Sequence, residues 1–345
     1  MFEKVRVVGW VAGATGWVLL MGGCEAPDSA SVLGSRLHEG QWSVRGGSEG
    51  SAGLQVAGID VAGPGLSIPQ DCEAGDPEEE PFPGHPFFHQ VYRATSRDGL
   101  TFRTDDVLRV DHASVPEAVR TPGGETRVYF VNGIPGHHGI WAADPDQSDP
   151  QGRLGCVHID GEFLGQAVDP DIVRLSGGIF RLFYFGSRIL PDDGASGMMH
   201  PMSSAISRDG FHFRDEGVRW VTQGGTDPTA AYLPSGLWLL GVDFGTETRI
   251  ASSADGYEFT DTGVEVPVTG GPDFHVLADG RVRIYGRVRG GEGGIGSYVS
   301  SDEGASWSPE PGLRVADLAD RIVADPSVVR LDDGSWEMLY KQQDR

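Results

Sequence analysis

From about residue 86 onward, apolar residues come in short runs separated by turns rich in glycine, aspartate and proline. Such runs, flanked by Gly and Asp-Gly turns, predict β-strands joined as hairpins. One unit returns five times: a proline, an apolar strand, a glycine-containing turn, then a second apolar strand. Its copies read Val115-Pro116-Glu117-Ala118-Val119-Arg120, Asp169-Pro170-Asp171-Ile172-Val173-Arg174, Asp227-Pro228-Thr229-Ala230-Ala231-Tyr232, Gly271-Pro272-Asp273-Phe274-His275-Val276 and Asp325-Pro326-Ser327-Val328-Val329-Arg330. The prolines stand 54, 58, 44 and 54 residues apart. Residues 127–131, 180–185, 237–242, 281–286 and 336–340 are the hairpin partners.

A second element interleaves with the first. Ser96-Arg97-Asp98-Gly99 recurs as Ser207-Arg208-Asp209-Gly210 and Ser253-Ala254-Asp255-Gly256, each followed by an aromatic residue at its third or nearer position. A fourth copy, Ser300 to Trp307, resembles the Asp-box turn of sialidase-like propellers. There an aspartate accepts backbone N–H groups, a glycine supplies the unusual φ, and the aromatic fills the gap between blades. The role is structural. Four strands per unit of roughly 50 residues predict an all-β, five-bladed β-propeller over residues 86–345. The last unit lacks its outer pair, and an orphan pair at 89–96 and 100–103 precedes the first. The N-terminal strands are expected to complete the last blade and so remove the free sheet edges.

The segments before residue 86 read differently. Lys4 and Arg6 precede a mostly apolar run at 7–21, then Gly22-Gly23-Cys24. This resembles a bacterial lipoprotein signal over 1–23, with Cys24 as the lipidation site; an ordinary signal peptide or an anchor is the competing reading. The run is short and glycine-rich for a membrane span. The resemblance implies export and a lipid anchor in the cell envelope, with the outer membrane open because Glu25 follows Cys24. Residues 24–85 are rich in Ser, Gly, Pro and acids, the composition of a flexible tether. Cys72 and Cys156 are the remaining cysteines and could pair or stay free. With 27 basic against 50 acidic residues the net charge is −23, which argues against nucleic-acid binding.

The stretch from Asp325 to Tyr340 resembles the opening inner-strand motif of glycoside hydrolase family 43, and that from Asp169 to Tyr184 is similar to it. The likeness spans residues 86–345 and extends to the arabinanase, invertase and levansucrase group of propellers. It implies acid–base hydrolysis of a glycan by three carboxyl groups on the inner strands of successive blades; no cofactor is expected, and no metal ligands, since paired zinc-type spacing is lacking. The sequence departs from that pattern: Val115 replaces the first-blade Asp, and Asp227-Pro228-Thr229 stands where a Glu is expected. Strand alternation puts Asp169, Asp227 and Asp325 at one level and Glu117, Asp171 and Asp273 two residues on, all six pointing the same way into one channel mouth. Crowded carboxyl groups raise one another's pKa, which is how a general acid is made near neutral pH; the same acids could instead cap turns or hold waters or a cation. His112, His138 and Trp141 on first-blade loops, Arg188 in the second blade and His275 in the fourth are candidate sugar contacts, although each residue type also fits a packing role. Arg120, Arg174 and Arg330 recur at one motif position. They are expected to form structural ion pairs rather than the carboxylate clamp of a sialidase. The expected protein is a monomeric, envelope-tethered glycosidase; a non-catalytic propeller binding glycan or protein at the same mouth is the alternative, and a sialidase is third.

Overall fold

A computed structural model describes residues 66–73, 81–82, 84–186, 199–288 and 293–345, all within the unit spanning 51–345. They form five antiparallel blades. Blade 1 runs outward through Ala113–Arg120, Thr126–Asn132, Ile140–Ala143 and Gly155–Cys156. Blade 2 consists of Val168–Leu175, Ile179–Phe185, Met199–Ser207 and His212–Gln223; the short strands His158–Ile159 and Glu162–Phe163 widen it. Blade 3 is Thr226–Tyr232, Trp238–Asp243, Thr248–Ser253 and Thr260–Val266. Blade 4 is Thr269–Val276, Val282–Val288, Gly294–Ser300 and Ser308–Pro309, with Val315–Ala316 also on its third strand.

Blade 5 closes the ring. Its inner strands, Arg321–Arg330 and Trp336–Asp344, come from the C-terminal end, and its outer strands, Gln90–Ser96 and Phe102–Asp111, come from before blade 1. The join is an unbroken antiparallel register from Gln90 opposite Gln342 to Ser96 opposite Trp336. The first strand of each blade touches the first strand of the next, and the fifth touches the first. The fold is a five-bladed β-propeller closed by its N-terminal strands.

One apolar cluster fills each gap between neighbouring blades. Tyr129, Phe180 and Phe211 pack between blades 1 and 2, and Phe183 with Trp238 between blades 2 and 3. Leu239 with Ile284, Tyr285 with Met338, and Phe130 with Leu339 serve the other three. Strand alternation explains this: side chains on the two faces of a blade point into its two neighbours. The Ser-x-Asp-Gly turns lock the same gaps. Asp98 Oδ1 accepts from the N–H groups of Leu100 (2.8 Å) and Thr101 (2.7 Å). The glycine carbonyls then reach back one blade: Gly210 accepts from Tyr129 Oη (3.0 Å), Gly256 from Arg181 (2.7 Å) and Gly99 from Tyr285 Oη (2.8 Å).

Cys72 and Cys156 are joined in a disulfide. It fastens residues 66–73 to blade 1, where Gln70 donates to the carbonyl of Leu154 (2.8 Å) and the carbonyl of Cys72 contacts His137 Nδ1 (3.1 Å).

Candidate functional site

Each inner strand carries the same irregularity. The residue before the proline of each repeat has a left-handed φ: +47° at Val115, +54° at Asp169, +49° at Asp227, +63° at Gly271 and +50° at Asp325. Proline offers no N–H to the ladder, so pairing slips here in all five blades and a β-bulge forms. Aspartate tolerates this conformation better than most residues, whereas a β-branched valine is strained there. In blade 4 only glycine fits, since a Cβ at Gly271 would lie 2.9 Å from the Cα of Asp325.

The bulge overrides strand alternation and divides the six acids into two groups. Between the groups the channel narrows to a throat of about 10 Å³, lined by the five repeat prolines together with Glu117, Asp171 and Asp273 of one group and Asp227 and Asp325 of the other. That is the space of about one water molecule.

Asp169, Asp227 and Asp325 stand on the side where the inner strands begin. Asp325 pairs with Lys341 Nζ at 2.6 Å, and Asp169 Oδ2 accepts from the backbone N–H of Asp227 at 3.4 Å. Thr226 Oγ1 donates to Asp227 Oδ2 at 2.7 Å. Burial lifts Asp169 to about 7, opposed by the Asp227 N–H and assisted by the Asp325 charge. Burial, and then the charges of Asp169 and Asp325, hold the Asp227 carboxyl well above the usual carboxylate range. Asp243 joins them, raised by burial and gripped by the N–H groups of Gly245 (2.6 Å) and Gly270 (2.5 Å). His89 lies beside Lys341 and contacts Ser114 Oγ at 2.9 Å; burial and the lysine charge lower it to about 4, so its ring is neutral.

Glu117, Asp171 and Asp273 lie beyond the throat and close a ring with Thr229 and Ser327. Glu117 accepts from the N–H of Ile172 (3.1 Å), Asp171 from Ala230 (3.0 Å), Thr229 from Phe274 (2.9 Å), Asp273 from Val328 (3.0 Å) and Ser327 from Ala118 (2.8 Å). Every inner strand is thus stitched to the next. The three carboxyl groups offer oxygens within 4.8 Å of one another. Such an oxygen set suits a hard divalent ion, and one oxygen of each acid also accepts a ring N–H. Burial raises Asp171 to about 7; burial and mutual repulsion raise Glu117 and Asp273 well above the ordinary range.

The other predicted contacts are spread out. His112 stacks on Phe87 (ring centroids 4.0 Å apart), His138 Nδ1 contacts the carbonyl of Gly165 (2.7 Å), and Trp141 Nε1 donates to the carbonyl of His137 (2.9 Å). All three are engaged in holding loops. His275 packs on Trp336 (4.5 Å) on the Glu117 side of the throat. The three motif arginines share that side, and an acid partner is found only for Arg120, which meets Asp332 at 3.2 Å, among the described residues. Arg174 instead donates to the carbonyl of Arg120 and lies over Phe180. Arg188 and Cys24 lie outside the described residues. Lys341, His89 and Asp243 were not legible as site residues, because none occupies the repeating inner-strand motif.

No family model matches the sequence, and no curated protein matches it. Similar solved structures include an endo-1,4-β-xylanase from Bacteroides thetaiotaomicron VPI-5482 (15% identity, 65% of this chain and 82% of that one, TM-score 0.48). An endo-arabinase from the same organism has 16% identity over 68% and 89% of the two chains, with a TM-score of 0.46. An α-L-arabinofuranosidase from Clostridium thermocellum ATCC 27405 has 15% identity over 65% and 80%, with a TM-score of 0.46. The propeller assignment rests on the chain's own blade order and closure.

Proposed function

We propose that this chain hydrolyses a glycan at the mouth formed by Asp169, Asp227 and Asp325. One observation carries the reading: carboxyl groups from three blades meet there, and burial raises Asp169 and Asp227 above the ordinary carboxylate range. Asp227, held well above the usual carboxylate range by burial and its acidic neighbours, would donate its proton to the leaving glycosidic oxygen. Asp169, near 7, would take a proton from the water that adds to the anomeric carbon. The Asp325–Lys341 pair would fix the floor between them.

A screen of the full chain against aryl glycosides and polysaccharides tests this. Asp227→Asn and Asp169→Asn should each lower the rate by about 10²–10⁴-fold while the melting curve stays cooperative. A glycan that binds wild type and both variants equally, with no turnover, would establish a binding propeller instead. Val115, which leaves blade 1 without an acid at this level, is the feature favouring that second reading.

We also propose that the protein is exported and held in the envelope through Cys24. The Cys72–Cys156 disulfide supports an oxidising compartment. Cys24→Ser should move the protein from the membrane fraction to the soluble one. Unchanged retention, with no lipid label on the wild type, would refute the anchor.

A further inference from the structure

The face beyond the throat is not used by the proposed hydrolysis. It opens into a cavity of about 360 Å³, a volume at the small end of those that hold organic ligands. Its rim is asymmetric. Blades 5, 1 and 2 contribute Arg330, Arg120 and Arg174, whereas blades 3 and 4 contribute Tyr232 and His275.

The arginine arc has few close acid partners among the described residues, in a chain whose net charge is −23. Its one described acid partner, Asp332, is 88% exposed and so screened by water. The Nε atoms of Arg120 and Arg174 are buried without a hydrogen-bond partner among the described residues. Arg330 is exposed and donates no described hydrogen bond; it only approaches the Trp336 ring, at 5.9 Å. Guanidinium groups in an arc suit the planar, two-oxygen face of a carboxylate. The deeper wall is polar but crowded with acid: Glu117, Asp171 and Asp273 lie there. A group reaching that depth must be uncharged and able to both donate and accept hydrogen bonds, as hydroxyls do. A dianion such as phosphate would bring a second negative charge against those acids.

We propose that this cavity binds a small hydroxylated carboxylate, a sugar acid or hydroxy acid, with its carboxylate on Arg120, Arg174 and Arg330 and its hydroxyls toward Glu117, Asp171 and Asp273. The site is separate from the Asp169 mouth and stands or falls independently of it.

Calorimetric titration of the full chain with D-galacturonate, D-galactose and inorganic phosphate tests it. Galacturonate should bind, and the neutral sugar should bind at least tenfold more weakly. Arg330→Gln should weaken galacturonate binding at least tenfold. That residue holds no described hydrogen bond, so the variant is expected to fold. Arg174→Gln should do the same, with its melting curve recorded because the side chain also packs on Phe180. Asp227→Asn, at the other mouth, should leave galacturonate binding unchanged. Equal binding of galactose and galacturonate, insensitivity to Arg330→Gln, or no galacturonate binding would each overturn the assignment. Phosphate binding as tightly as galacturonate would overturn the hydroxy-acid class.

Discussion

Replacing Asp171 by Asn isolates the cost of crowding buried acids around the channel. The carboxyl is held at about 7 against an ordinary 3.8. Below pH 3.8 it is protonated in both the folded and the unfolded chain and contributes nothing to pH dependence. Between about 4 and 7 the unfolded chain gives up its proton while the folded chain keeps it, so stability falls as pH rises; above the folded pKa the fall is complete. At about 1.36 kcal/mol per pKa unit the full penalty is roughly 4 kcal/mol, an upper bound because neighbouring acids share the proton. Asn cannot ionise in either state. Its carboxamide oxygen can still accept from the N–H of Ala230, and its NH₂ can face the Thr229 hydroxyl. The variant should therefore melt above wild type, with a gap that widens by about 3 kcal/mol, or on the order of 5–10 °C, from pH 5 to pH 8. Turn acids such as Asp209 and Asp255, whose pKa values are lowered, are ionised in both states across that window and do not confuse it. Calorimetric melts at the two pH values make the comparison. A variant that melts below wild type at both, with a parallel pH dependence, would show that Asp171 is ionised and compensated in the folded protein, and the reasoning would fail.

Two further outcomes probe the frame. Gly271→Ala should destabilise by at least ~1–2 kcal/mol, because alanine is strained at φ +63° and its Cβ would press on Asp325; urea unfolding reads this, and an unchanged midpoint would contradict the bulge geometry. Cys156→Ser should cost about 2–5 kcal/mol by opening a covalent loop of sequence separation 84; a wild-type melting temperature indifferent to reductant would argue against the bridge.

Blade number, blade closure and the positions of the inner strands were all legible in the linear chain. They follow from local causes: proline and Asp-Gly punctuation sets turns, and apolar runs of strand length demand burial. The orphan pair at 89–103 was recognisable for the same reason, since a propeller leaves no unpaired edge, and Gln90–Ser96 does lie against Trp336–Asp344. The channel chemistry was only half legible. Counting by twos placed Asp169 and Asp171 on one side, but a left-handed residue before each proline turns the strand between them. The sign of a φ angle leaves no dependable mark in residue type, as Val115 shows by sharing it with three aspartates and a glycine. His275 was expected among the mouth residues yet lies beyond the proline throat, because a strand carries it about 3.3 Å deeper with each residue. Lys341 and Asp243 reach the Asp169 mouth from second strands and His89 from just before a third, and Lys341 and Asp325 reach it only because the ring closes. Sequence pattern determined the strands and their order; bulge geometry at the prolines, and ring closure through contacts between residues hundreds of positions apart, decided which side chains share a cavity.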